Sequence, residues 1–190
     1  VKILAKKRKA KEYERSLKLI PLLIHLPPAT DDIQGGGRDE RDVNEEAISQ
    51  STIMYSIIAS TLKKENFSTK LYGQKYFSFE MVVVDGLVKY YAVVPAVTTE
   101  IVKQAIQSSY PTARLEEAEV ENIFLNAGLG DEAKEDEDSR NVAGGELIFK
   151  KEEYYPIQVF SESKWDAQLA ILNAFAKAKK GEGLGLQLMF

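Results

Sequence analysis

His25 is the chain's one histidine, and there is no cysteine. A single imidazole builds neither a multi-histidine metal site nor a relay with a histidine partner. His25 lies among Leu22, Leu23, Ile24 and Leu26, so it reads as a structural histidine with one hydrogen-bond partner. The lack of cysteine excludes a thiolate ligand, a thiol nucleophile and a disulfide framework. Ser49, Ser51, Ser56 and Ser60 recur along a helical pattern without the Gly-x-Ser-x-Gly elbow that exposes a nucleophile; they read as helix-packing or solvent positions. Gly181, Gly183 and Gly185 follow a helical pattern and precede a strand-like one, the reverse of a dinucleotide fingerprint. They are expected to supply a helix C-cap and a permissive turn. No Gly-x-x-x-x-Gly-Lys-Ser/Thr loop is present. Asp131, Glu132, Glu135, Asp136, Glu137 and Asp138 lack EF-hand spacing and read as a solvated loop. These residues imply no catalytic, cofactor or metal site, and an enzyme is the weakest reading.

Charge supplies the strongest functional signal. Over residues 1–18 there are eight basic side chains against Glu12 and Glu14, a net +6 that leaves −10 for the remainder of a chain whose total is −4. The basic arm and the acidic body are therefore expected to do different jobs. Val1, Ile3 and Leu4 are followed at once by Lys6, Lys7, Arg8 and Lys9, the pattern at the cytoplasmic exit of a membrane-spanning helix. A helix upstream of Val1 is accordingly expected to anchor the chain at the cytoplasmic face of the plasma membrane. Lys6, Lys7, Arg8, Lys9 and Lys11 are the candidate residues for an anionic membrane surface. A solubilising arm and a nucleic-acid-binding arm fit the same residues. Within the 190 residues no run reaches the roughly 18 to 20 apolar residues of a spanning helix.

The positioning elements follow from periodicity. Residues 17–26 are dense in Leu and Ile but contain Pro21, which predicts an edge strand or an extended segment. Asn44 is expected to cap a helix bearing Ile48, Ser51, Met54, Tyr55, Ile58 and Leu62, with Ile53 and Ile57 widening its apolar stripe so that it is buried on more than one side. Residues 76–84 and 87–94 are aromatic and β-branched around Asp85-Gly86, the signature of a two-residue hairpin. Thr98 or Thr99 is expected to cap a helix with Ile101, Val102, Ala105, Ile106 and Ser109, stopped by Pro111 and followed by a strand within 113–120. Strands are also expected at 146–150 and 155–160. Ser163 is expected to cap a helix bearing Trp165, Leu169, Leu172 and Phe175, and a closing strand covers 184–190. Tyr90-Tyr91 and Tyr154-Tyr155 read as core and rim, because an RNA-binding sheet would interleave aromatics with more Arg and Lys than Lys75 and Lys89. The expected fold is α+β: a mixed sheet with helices on one face, built from pseudo-repeated ferredoxin-like strand-helix-strand units. Residues 1–16 form the arm and 17–190 a single domain with flexible loops at 28–43 and 126–144.

Several of these segments also resemble a known family. Tyr76-Phe77-Ser78-Phe79-Glu80, Val83-Val84-Asp85-Gly86 and Val88-Lys89-Tyr90-Tyr91-Ala92-Val93-Val94-Pro95 are similar to a stretch in the N-terminal regions of conjugation-type ATPases and their relatives in type IV secretion systems. The likeness continues through Ser109-Tyr110-Pro111-Thr112-Ala113, Glu146-Leu147-Ile148-Phe149-Lys150 and Tyr155-Pro156-Ile157, and ends at Gly181-Glu182-Gly183 and Leu186-Gln187-Leu188. In that family the region follows membrane-spanning helices and precedes the motor, whose ATP-binding motifs lie downstream. The resemblance implies a non-catalytic, membrane-proximal docking domain without cofactors. Its expected partners are other machine subunits or copies of itself, met through the hairpin edge and the helix faces. A nucleic-acid-binding accessory factor of DNA transfer is the alternative.

Overall fold

The computed structural model describes residues 2–26, 40–61, 67–72, 75–124, 142–148, 167–179 and 181–190. Its elements, in order, are α1 (Lys2–Leu17), β1 (Leu19–His25), α2 (Glu40–Ser60), α3 (Phe67–Tyr72), β2 (Ser78–Val84), β3 (Leu87–Pro95), α4 (Thr99–Ser109), β4 (Arg114–Glu117), α5 (Ala167–Phe175) and β5 (Gly183–Met189). The class is α+β. The five described strands form one sheet in the order β4-β1-β3-β2-β5. The sheet is antiparallel rather than of mixed direction: the helix-bearing connections from β1 to β2 and from β3 to β4 each join strands that straddle a third, and the one from β4 to β5 joins the two outer strands.

The β2–β3 hairpin forms where its sequence places it. Asp85 and Gly86 take φ values of 52° and 79°, the paired positive angles that a two-residue turn needs to match strand twist. The hairpin offers no free edge, however. β1 pairs with β3 in the register Ile20↔Val94, Leu22↔Ala92, Ile24↔Tyr90, and β5 flanks β2.

β1 is an inner strand, with β4 on its other side through Leu22↔Glu117 and Ile24↔Leu115. Proline is tolerated there for a directional reason. In an antiparallel sheet the N–H and C=O of one residue point toward the same neighbour. The Pro21 carbonyl accepts from the Ala118 N–H at 3.3 Å, so its missing donor also faces that side, past the end of β4. The β3 ladder loses nothing.

Backbone contacts group the chain into two units. The first comprises Val1–Met81, Lys89–Val120 and Leu186–Phe190; the second comprises Val82–Val88 and Glu121–Gly185. The core of the first unit gathers Leu22, Ala92 and Val94 from β1 and β3, Phe77 before β2, Met54 and Ile58 from α2, and Val102, Ala105 and Ile106 from α4. Both helices thus lie on the face that carries Leu22 and Ala92. On the opposite face Tyr91 and Val93 are also buried.

Several boundaries depart from expectation. α2 begins at Glu40, so Asn44 is inside the helix rather than its cap. Its described part is buried along one side only, through Met54 and Ile58, while Ile53 is exposed. Ser51, Thr52, Ser56 and Ser60 donate to carbonyls three or four residues back, which satisfies hydroxyls that otherwise compete with the helix. Thr98 occupies the N-cap of α4 but makes no side-chain cap. Its hydroxyl and that of Thr99 turn back instead to the Pro95 carbonyl, at 3.0 and 3.3 Å.

Residues 142–148 are irregular, so no strand forms at the described positions of the expected 146–150 segment, and Leu147 is 91% exposed. The short helix α3 has no counterpart in the sequence reading. In the second unit Gly181 takes φ 88° in a turn beyond α5, and its N–H donates to Asp85 Oδ1 at 3.4 Å. Gly183 serves a different end: a Cβ there would meet the Ile123 carbonyl oxygen at 2.5 Å. The acidic loop, the expected strand at 155–160, Ser163 and Trp165 lie outside the described residues.

Candidate functional site

Residues 2–17 become a helix because Lys, Arg, Ala, Leu and Glu dominate them and neither Gly nor Pro intervenes. The Lys18 N–H closes the last turn on the Glu14 carbonyl, and the Lys18 carbonyl accepts from the Ala96 N–H at 2.7 Å. The arm is therefore tied to the end of β3 and runs directly into an inner strand.

Residues 2–11 are exposed throughout. At about 100° per residue, Ile3, Ala10 and Leu17, spaced by seven, fall near one line along α1, with the exposed Glu14 beside it between Ala10 and Leu17. Lys6 and Lys7 flank that line on either side, Lys2 and Lys9 continue one flank, and Lys11 continues the other. Arg8 falls nearly opposite. Four consecutive basic residues thus wrap the helix instead of sharing a face, and the sequence run alone conceals this. Among the described residues no ion pair holds Lys6, Lys7, Arg8, Lys9 or Lys11. An apolar line with long basic side chains beside it is the arrangement of helices that lie in a headgroup layer, where lysine stems cover apolar surface and their heads stay wet.

His25 Nε2 lies 3.1 Å from Glu116 Oε2, both side chains exposed; this carboxylate reaches it through the β1–β4 pairing, which sequence distance hides. Lys103 bonds Glu117 Oε1 at 2.7 Å and Glu100 Oε1 at 3.3 Å, tying α4 to β4. Those contacts, led by the Glu117 hydrogen bond, raise its pKa. Burial raises the phenol of Tyr55, with Tyr110 adding to it, and burial raises Tyr110 against an opposing hydrogen bond with Ser51. Raised phenols stay protonated at neutral pH. The rings of Tyr55 and Phe190 each meet Phe79 edge to face and meet one another at a tilt, with centroids 5.5 to 6.1 Å apart. Among the described residues no cluster of His, Asp and Glu could hold a metal ion, and no helix is long and apolar enough to cross a membrane.

Compared with family models, curated proteins and solved structures, the chain matches none.

Proposed function

We propose that this chain is a non-catalytic, membrane-proximal docking domain whose basic helix α1 lies on an anionic, cytoplasm-facing bilayer surface. The observation that carries the reading is the exposed helix itself: an Ile3, Ala10, Leu17 line flanked by lysines, on a chain whose remainder carries −10. An acidic body is repelled by anionic lipid, so the arm sets which part of the protein meets the membrane. The likeness of the 76–95 and 181–188 segments to the N-terminal regions of conjugation and type IV secretion ATPases supports assigning the docking role to such a machine. The order β4-β1-β3-β2, with helix-bearing connections from β1 to β2 and from β3 to β4, supports reading these strands as the pseudo-repeated ferredoxin-like unit.

The test is co-sedimentation with vesicles of phosphatidylserine and phosphatidylcholine. The native chain binds, and replacing Lys6, Lys7, Arg8 and Lys9 by Gln abolishes binding while the circular dichroism spectrum of the body is retained. Unchanged binding by that variant overturns the proposal. So does tighter binding to single-stranded DNA with a log-linear salt dependence and no affinity for vesicles, which would assign the arm to nucleic-acid phosphates.

A further inference from the structure

The two edges of the sheet are built differently. β4 is four residues long, and Arg114, Glu116 and Glu117 put charge on it; short and charged edges resist pairing with other chains. β5 reads Gly-Leu-Gly-Leu-Gln-Leu-Met over seven residues, with neither charge nor proline. Among the described residues it has one neighbouring strand, β2.

The side of β5 turned away from β2 can be read from its paired side. Phe77 and Phe190 exchange both backbone hydrogen bonds, at 3.1 and 2.9 Å. Counting back along this antiparallel pair sets Leu188 against Phe79 and Gln187 against Glu80, and the Gln187 Nε2 donates to Glu80 Oε1 at 2.7 Å. Backbone groups alternate between the two sides of a strand. Those of Phe190, Leu188 and Leu186 therefore point to β2, while those of Met189, Gln187 and Gly185 point away from it. The side chains alternate in the other sense. Leu186, Leu188 and Phe190 stand on the face that carries Phe77 and the helices, and at the outermost strand they remain incompletely covered: Leu188 is 47% and Phe190 54% exposed.

We propose that this edge pairs with the same edge of a second copy of the chain, antiparallel, about a two-fold axis at Gln187. A two-fold perpendicular to the sheet keeps faces matched, so Leu186 of one copy meets Leu188 of the other and the leucine comb is covered by its own image. Gln187 then exchanges backbone bonds with Gln187 of the second copy, and Gly185 with Met189. This occupant is favoured over another partner because the pattern is self-complementary and because an edge without charge lets two acidic bodies meet without like charges in register. The inference stands independently of α1.

Sedimentation velocity of the whole chain over a concentration series tests it. The expected result is a reversible monomer–dimer equilibrium. Gln187→Lys sets two lysines against each other at the axis while leaving each beside its own Glu80, and is expected to weaken association by about tenfold or more. Met189→Pro removes an outward N–H without touching the β2 ladder, and is expected to do the same. Because the chain lacks cysteine, Gln187→Cys treated with a short bis-maleimide should yield a covalent dimer, whereas Gln107→Cys on the exposed side of α4 should not. A monomer at every concentration, or equal cross-linking at both positions, overturns the proposal and leaves the edge to a different occupant.

Discussion

Lys6 and Arg8 are two residues apart and point to nearly opposite sides of α1. Membrane binding should therefore not scale with the number of charges removed. Each Lys or Arg near an anionic surface contributes about 1 kcal/mol. The double change of Lys6 and Lys7 to Gln should accordingly weaken vesicle binding by about thirtyfold, with Arg8→Gln nearly silent, as measured by vesicle titration. Ser109 tests a different kind of residue. Its buried Oγ has no hydrogen-bond partner among the described residues, and an unpaired buried hydroxyl costs about 1–3 kcal/mol. Ser109→Ala should thus leave stability unchanged or raise it in a urea titration. Tyr55 gives a pH dependence. Its phenol holds its proton above the ordinary value of 10.0 in the fold, so its contribution is fully present below that value and is lost as pH rises through the folded pKa. Unfolding at alkaline pH should begin above about pH 10, and Tyr55→Phe should move the onset upward in a circular dichroism pH series.

Among the elements, those set by local chemistry were legible in the sequence and those set by pairing were not. Asp85-Gly86 marks its hairpin because few residue pairs accept two positive φ angles. The apolar spacing of Val102, Ala105 and Ile106 marks α4 in the same local way. Pro21, by contrast, signals an edge, yet β1 is an inner strand; nothing in the segment shows that the missing donor faces the short side of β4. Leu147 and Ile148 have strand-like character and still form no strand, since a strand exists only where another strand receives it. Leu22, paired on both sides and fully buried, should be the most costly position in β1, with Leu22→Ala losing about 3 kcal/mol in urea unfolding. Of the candidate site, the basic run was legible, but the sides of the helix on which its members fall appear only once residues 2–17 are known to be helical.

At the scale of the whole molecule, charge divides the chain into a basic helix and an acidic remainder. The central claim is that this helix lies along a bilayer surface with the Ile3, Ala10, Leu17 line inward. Ala5 and Ala10 are both exposed and five residues apart, which places them on roughly opposite faces of α1. Because the chain has no cysteine, Ala5→Cys and Ala10→Cys can each carry one environment-sensitive fluorophore. On adding phosphatidylserine vesicles the label at 10 is expected to shift to the blue and become shielded from an aqueous quencher, while the label at 5 changes little. Equal responses at the two positions, or none at either, would contradict it.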